Sequence, residues 1–288
     1  MIEQGTDDWL KLRKGKITAS KIAVIMGLSP YQTPKMLWEE ELGFREAQKA
    51  SSHMQRGLDI EDDAREYFKQ QTGVEVSPAV IFRKGHPKFM ASLDGLSADE
   101  LTMVEIKNNN MSYHDMAKKG LIVEFHQCQM QWQMYVSGDE IEKSNYLSYR
   151  NADDAVIVPL SRDEGYIQKQ VEAGLQFLKY IEDLEEPPLM EADYEDVSKN
   201  SALQQAVNEY REYNALIKHY TELSESAKKR IISESKDRNV RGLDWKMTKY
   251  EQKGRVNYDE LLKDLDVKDD DLTAYRKESK TSYRITLQ

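Results

Sequence analysis

Asp94 and the triplet Glu105-Ile106-Lys107, separated from it by ten residues, are the side chains whose types and spacing point most directly to chemistry. Successive residues of a strand face opposite ways, so Glu105 and Lys107, two apart, share a face. Asp94-Gly95 reads as a turn that joins a strand over Lys88–Leu93 to one over Thr102–Lys107. Two carboxylates and an ammonium would then converge on one spot. Metal-assisted phosphodiester hydrolysis needs that set: oxygen ligands for Mg²⁺ and a lysine to position or deprotonate the attacking water. The same residues also describe a hairpin with an Asp-Gly turn and a solvent-facing Glu–Lys pair, and spacing alone leaves both readings open.

Three further groups would complete such a site. Glu61, in Arg56-Gly57-Leu58-Asp59-Ile60-Glu61, lies on an expected helix ahead of the hairpin and offers a third carboxylate or an exposed helix acid. Gln129 and Gln131 lie on an expected helix after it, and a spacing of two puts only one of them on the site's face. Lys11, Arg13, Lys14, Lys16 and Lys21 surround Ser20 in the densest basic cluster of the first 190 residues. That cluster suits a terminal-phosphate or backbone clamp, or a solvated cationic face.

The elements that must position these residues are legible from periodicity and punctuation. Short helices are expected over 18–28 and 34–43, a longer one over 50–72 closed by Gly73, and others over about 123–137 and 162–185. Strands are expected at Val80–Arg83, Lys88–Leu93 and Thr102–Lys107, then near 144–150 and 155–160. Strands framed by helices predict an α/β core, and Pro187-Pro188 its end. The chain thus divides into a core over 1–188 and an accessory region over 189–288. The latter holds a long helix or helical hairpin over 200–237, β-like segments at Leu243–Tyr250 and Tyr283–Leu287, and a short helix near 258–265.

Composition narrows the function classes. The 288 residues carry a formal net charge of −10. Residues 1–190 hold 31 acidic and 22 basic side chains, so no basic module coats a phosphate backbone. Contact with nucleic acid would rest on local clusters or on cations bridging carboxylates to phosphate. One cysteine, Cys128, excludes an internal disulfide, a multi-cysteine zinc site and a cysteine-held iron–sulfur cluster. The histidines lack metal-ligand spacing, and no phosphate-loop or dinucleotide glycine pattern occurs. No apolar run reaches the ~18 residues of a membrane span. The first residues lack the features of a signal peptide, and a reducing cytoplasmic setting is expected.

The ordered set of motifs resembles the lambda exonuclease family of phage recombination nucleases, also called the YqaJ-like viral recombinase family, within the PD-(D/E)xK superfamily. The resemblance rests on Gln4-Gly5-Thr6-Asp7-Asp8-Trp9, Leu12-Arg13 and Ile17-Thr18-Ala19-Ser20; on Gly57 to Arg65 around Glu61; on Ser92-Leu93-Asp94-Gly95-Leu96 and Glu105-Ile106-Lys107; and on Gln129-Met130-Gln131. Leu93 stands where a proline is usual, a position that ligates nothing.

The resemblance implies a restriction-endonuclease-like core, a central mixed sheet flanked by helices. It implies two Mg²⁺ ions per site, with Mn²⁺ as a substitute. Asp94, Glu105 and the Ile106 carbonyl would be ligands of one ion, and Glu61 of the second, directly or through water. Lys107 would activate the water, Gln129 would help orient it, and Arg13 and Ser20 would bind a 5′-phosphate. The implied activity is 5′→3′ digestion of linear double-stranded DNA, releasing 5′-mononucleotides and leaving a 3′ strand for a single-strand annealing protein. A trimeric ring around DNA would let an acidic chain hold DNA by topology. A non-catalytic DNA-end-binding scaffold and an endonuclease of the same superfamily are the rival expectations. The accessory region, with Trp245-Lys246 and Tyr283-Arg284, would serve assembly, guidance of DNA or partner docking.

Overall fold

The computed structural model describes residues 7–46 and 52–267 and, beyond them, Leu272, Tyr275 and Ile285. Two compact units divide the chain, Met1–Glu195 and Asp196–Gln288. The first runs past Pro187-Pro188 because the segment beyond is pinned back: the Thr33 hydroxyl donates to Asp193 Oδ1 at 2.5 Å, and Met190 packs against Gly27.

In the first unit, α1 (Asp7–Arg13) leads to the short strand β1 (Ile17–Thr18), α2 (Ala19–Ile25), α3 (Pro34–Leu42) and α4 (Ser52–Thr72). Three strands follow, β2 (Val76–Phe82), β3 (Phe89–Ser97) and β4 (Met103–Lys107). Then come α5 (Met111–Lys118), α6 (Glu124–Ser137), β5 (Lys143–Asn151), β6 (Asp154–Ser161) and α7 (Glu164–Glu182). Side-chain caps set the helix starts, as Thr18, Thr33, Asn110 and Asp163 each accept from a backbone N–H of the first turn. Residues 111–118, with no apolar stripe of their own, were not expected as a helix; Asn110 starts this one.

The six strands form one mixed sheet, parallel at β1–β3 and β4–β5 and antiparallel at β2–β3, β3–β4 and β5–β6. A mixed sheet covered by helices is the α/β architecture that the sequence predicts. One face packs Ala64 and Phe68 of α4 on Val104, Ile106, Leu147 and Tyr149. The other packs Cys128, Trp132 and Met134 of α6 on Ile17, Phe89 and Ala91.

β3 has two edges and three partners, and this sets the site. Met90 pairs with Phe82 of β2 on one side and Thr18 of β1 on the other. β4 joins only at Gly95–Leu96, so β1 and β4 share the second edge and the sheet forks between them.

Among the described residues of the second unit, α8 (Ser201–Glu234) is a single 34-residue helix without a buried residue. Strands β7 (Val240–Arg241) and β8 (Lys246–Met247) pair antiparallel, and α9 (Tyr258–Asp264) follows. The expected strand over Leu243–Tyr250 is thus two residues long, and the expected Tyr283–Leu287 strand lies outside the described residues apart from Ile285. Among the described residues no helix is long and apolar enough to cross a membrane.

Candidate active site

Asp94 does not stand at a turn. It lies inside β3, and the turn of the hairpin is made by residues 98–101, where Glu100 takes a positive φ of 58°. Two physical features replace the expected Asp-Gly turn. Between the pairs Ser77↔Leu96 and Ala79↔Leu93, β2 advances two residues and β3 three, so β3 carries one extra residue at Asp94-Gly95. Such a bulge re-aims the bulged side chain, and Pro78, without an N–H, sits opposite it. Gly95 is a packing glycine: a Cβ there would stand 2.6 Å from Val104 Cγ1 and 2.7 Å from Val76 Cγ2.

The β3–β4 ladder ends at Gly95↔Val104. One step further, where Asp94 would face Glu105, the strands part and the Ile106 N–H donates to Asp94 Oδ2 at 2.9 Å. Glu105, only 1% exposed, is held from two sides. Lys107 pairs with its Oε1, Gln129 donates to Oε1 at 2.5 Å, and Gln133 donates to Oε2. The expected convergence of Asp94, Glu105 and Lys107 on one point is therefore present in this geometry. Gln129 and Gln133, one helical turn apart, face the site together. Gln131 points away, donating to the Ser161 carbonyl and accepting from the Asp163 N–H. Gln129 thus holds the carboxylate, where the sequence led us to expect that it orients water.

Glu61 comes from α4 on the other face. Arg65 binds Glu61 Oε2 at 3.4 Å and donates to the Asp94 carbonyl at 2.9 Å, so one guanidinium ties both acids together. Arg65 and Gln133 are the two contacts that sequence reasoning passed over. Their spacings were the available signal: each is four residues from a singled-out side chain, Arg65 from Glu61 and Gln133 from Gln129.

The electrostatics follow from burial of like charges. Burial, then Glu105, pushes the Asp94 carboxyl well above the ordinary aspartate range. Burial raises Glu61 as well, against the opposing pull of Arg65. Burial alone would lower the Lys107 ammonium, but Glu105 and Asp94 outweigh it and raise the group above the usual lysine value. Two neighbouring carboxylates, Glu105 buried and Asp94 half-buried, are oxygen donors of the kind a hard divalent cation takes. A third ligand is not in place: among the described residues no three acidic, histidine or cysteine side chains form a metal-binding group.

The second cluster stands at the other prong of the fork. Arg13 Nη2 donates to Ser20 Oγ at 2.6 Å and to Thr18 Oγ1 at 3.3 Å, and its guanidinium lies 4.1 Å over the Trp9 ring. Lys21 is drawn into an ion pair with Glu41 and donates to the Arg13 carbonyl. Burial brings the Arg13 guanidinium down to about 10, still charged at neutral pH. The Trp9 indole N–H donates to Ser92 Oγ at 3.0 Å, two residues before Asp94, and so ties this cluster to the acid pair. Lys14 stays exposed on the surface beside it, and Lys16 is half-buried.

Residues 8–140 match the model of the YqaJ-like viral recombinase domain. The uncharacterized protein YqaJ of Bacillus subtilis (strain 168) is 24% identical over 181 residues, which is 61% of this chain and 56% of that protein. The chain therefore spans little more than half the length of that relative. Among solved structures, an alkaline exonuclease (LHK-Exo) from Laribacter hongkongensis is 27% identical, with a TM-score of 0.54 over 62% of this chain and 94% of that one. LHK-Exo in complex with dAMP gives a TM-score of 0.55 over the same shares.

Proposed function

We propose, from the match of residues 8–140 to the YqaJ-like viral recombinase domain, that the chain is a Mg²⁺-dependent 5′→3′ exonuclease acting on linear double-stranded DNA. The observation that carries the reading is the fork in the sheet, where Asp94, Glu105 and Lys107 meet under the amides of Gln129 and Gln133. A decayed site kept only for binding would have no use for a buried Glu105 beside a half-buried Asp94 and Lys107.

Asp94, Glu105 and the Ile106 carbonyl would hold one Mg²⁺ or Mn²⁺, and Glu61 would reach a second through water. The ions would neutralise the charge developing on the phosphate and lower the pKa of water. Gln129 and Gln133 keep the Glu105 oxygens in register, and Arg65 does the same for the Asp94 main chain. With Glu105 given over to a divalent ion, the Lys107 ammonium would be left to orient the attacking water. Arg13, Ser20 and Thr18 would grip the 5′-phosphate of the strand being digested. Release of 5′-mononucleotides agrees in kind with dAMP, the ligand of the LHK-Exo complex. Digestion would leave a 3′ strand for a single-strand annealing protein, and a trimeric ring would hold the duplex despite the net charge of −10.

Digestion of linear duplexes bearing 5′-phosphate or 5′-hydroxyl ends, with Mg²⁺ or with chelator, tests the reading. Mononucleotides released from phosphorylated ends in Mg²⁺ alone are expected. Metal-independent cutting, or cutting of closed circles as fast as of linear DNA, would refute it.

A further inference from the structure

The long helix α8 carries an apolar stripe, yet none of its side chains is buried. The stripe repeats every seven residues. Leu203, Tyr210, Ile217, Ser224 and Ile231 form one row, and Ala206, Tyr213, Tyr220 and Ala227 form a second, three residues on from the first four. Two rows at that spacing make the seam along which two helices supercoil. Ile217 and Tyr220, at its middle, are each 63% exposed. An apolar stripe of this length left to water marks a contact surface.

Size and charge along the stripe fit a second copy of the same helix, running the other way. In an antiparallel pair the first row of each helix meets the second row of the other. Setting Ile217 against Tyr220 of the second copy fixes the remaining layers. Tyr210 then meets Ala227, Ser224 meets Tyr213, and Ile231 meets Ala206, so a large side chain faces a small one in each; Leu203 meets Glu234 at the ends. Beside the seam, Leu216 faces Leu223 and Glu209 faces Arg230, an opposite-charge pair made twice. The surface relief agrees. A shallow groove lined by Tyr213, Leu216, Ile217, Tyr220, Thr221 and Ser224 is centred on the twofold axis, between Lys218 and His219. A hollow beside Ala227, shared with Arg230, Ile231, Val240 and Trp245, lies where the Tyr210 ring of the second copy would enter.

Other pairings fit worse. Slipping by one heptad sets Tyr210 against Tyr220 or against Glu234, and Glu209 then faces no cation. A parallel pair stacks like on like, Tyr213 on Tyr213 and Ser224 on Ser224, and brings no opposite charges together at the flanks. Glu209 and Arg230 are 21 residues, or about 32 Å, apart on α8, so they cannot meet within the helix.

We propose that α8 is a self-association surface, on which two copies of the chain pair their helices antiparallel with Glu209 against Arg230. The contact is twofold, so it is separate from the trimeric ring proposed above, and it holds whether or not the chain is a nuclease.

Sedimentation equilibrium of the full chain tests the proposal. Ile217→Glu puts charge at the centre of the seam and should halve the mass. Glu209→Arg and Arg230→Glu should each raise the Kd of self-association by roughly tenfold, through like charges set face to face, and combining the two should restore it. A spin label on Lys229→Cys reads direction, since Cys128 is buried and stays unlabelled. Two labels should stand apart by about 32 Å along the helix axes in the antiparallel pair, and side by side in a parallel one. Should Ile217→Glu unwind α8, the charge exchange leaves the stripe intact and decides alone. An unchanged mass, a combined variant no tighter than the single ones, or labels side by side would overturn the proposal. A monomeric parent would overturn it as well, and would leave the face to another segment of the chain or to a different protein.

Discussion

The two halves of the site differ in how they hold charge. At the fork, Glu105 is almost sealed from solvent and each of its oxygens is taken by a lysine or a glutamine amide. At the other prong, Arg13 is part-exposed, and among the described residues its hydrogen bonds go to hydroxyls while its guanidinium lies over a ring. Buried charge shifts pKa values and resists deletion, as an unpaired partner is left behind. Part-exposed charge facing neutral acceptors has spare capacity for an incoming anion. The first half is built to alter reactivity and the second to select what arrives, so the two should fail in different ways.

The largest effects belong to the fork. Lys107→Ala should lower kcat by about 10²–10⁴, the range of a positioned acid–base group, with binding to DNA ends largely kept. Near-normal turnover would remove Lys107 from the chemistry. Asp94→Asn should also abolish cleavage while raising the Tm of the chelated protein at neutral pH. The Asp94 pKa is raised in the folded chain, so its unfavourable term is absent below the ordinary aspartate range and grows as pH rises toward the folded value. The gain in Tm should therefore vanish as pH falls below that range. A gain independent of pH would mean that carboxylate repulsion is not its cause.

Arg13 gives the next effect in size. Arg13→Ala should slow digestion of 5′-phosphorylated ends by about 10- to 100-fold, the worth of charge-assisted hydrogen bonds, and leave 5′-hydroxyl ends nearly unaffected. Lysine should rescue in part, since a point charge lacks the planar fork. Equal slowing of both ends, mimicked by added salt, would reduce Arg13 to a general cation.

The same contrast explains what was legible in the sequence. Alternation and helical spacing placed α2, α3, α4, α6 and α7 and every large strand of the sheet, because burial of one face fixes register, but they missed α1 and α5. The identity of Asp94, Glu105 and Lys107 was readable as chemistry from residue type and order. The bulge at Asp94-Gly95 was not, because glycine after aspartate signals a turn in isolation. Only contact with Val76 and Val104, strands away in the chain, makes Gly95 a packing requirement. Pro78 in a strand was the one local hint. Arg65 and Gln133 were hidden for a related reason, since a charged or amide residue on a helix is ordinary surface until the fork brings Glu105 and Asp94 against it. On α8 the spacing predicted the helix but not whether one or two; the helix has no buried residue, so no core pattern in the sequence separated the two readings.

The smallest effect sits on the link between the halves. Trp9 supports Arg13 with its ring and reaches Ser92 with its indole N–H, so it couples the gripping residues to the strand that carries Asp94. Trp9→Phe keeps a ring face for the guanidinium and removes the bond to Ser92. The loss is one net hydrogen bond, about 0.5–1.5 kcal/mol, or roughly two- to tenfold. It should appear as a narrower rate difference between phosphate and hydroxyl ends, with kcat on hydroxyl ends unchanged, because the fork itself is untouched. Trp9→Ala also removes the cation–π contact, about 0.5–1 kcal/mol more at a part-exposed site, and should narrow the difference further. If the two variants lost the same amount, the ring would contribute nothing and the hydrogen bond would be the whole link. If instead kcat on hydroxyl ends fell with either, Trp9 would be shaping the fork, and the division of labour between the two halves would be wrong.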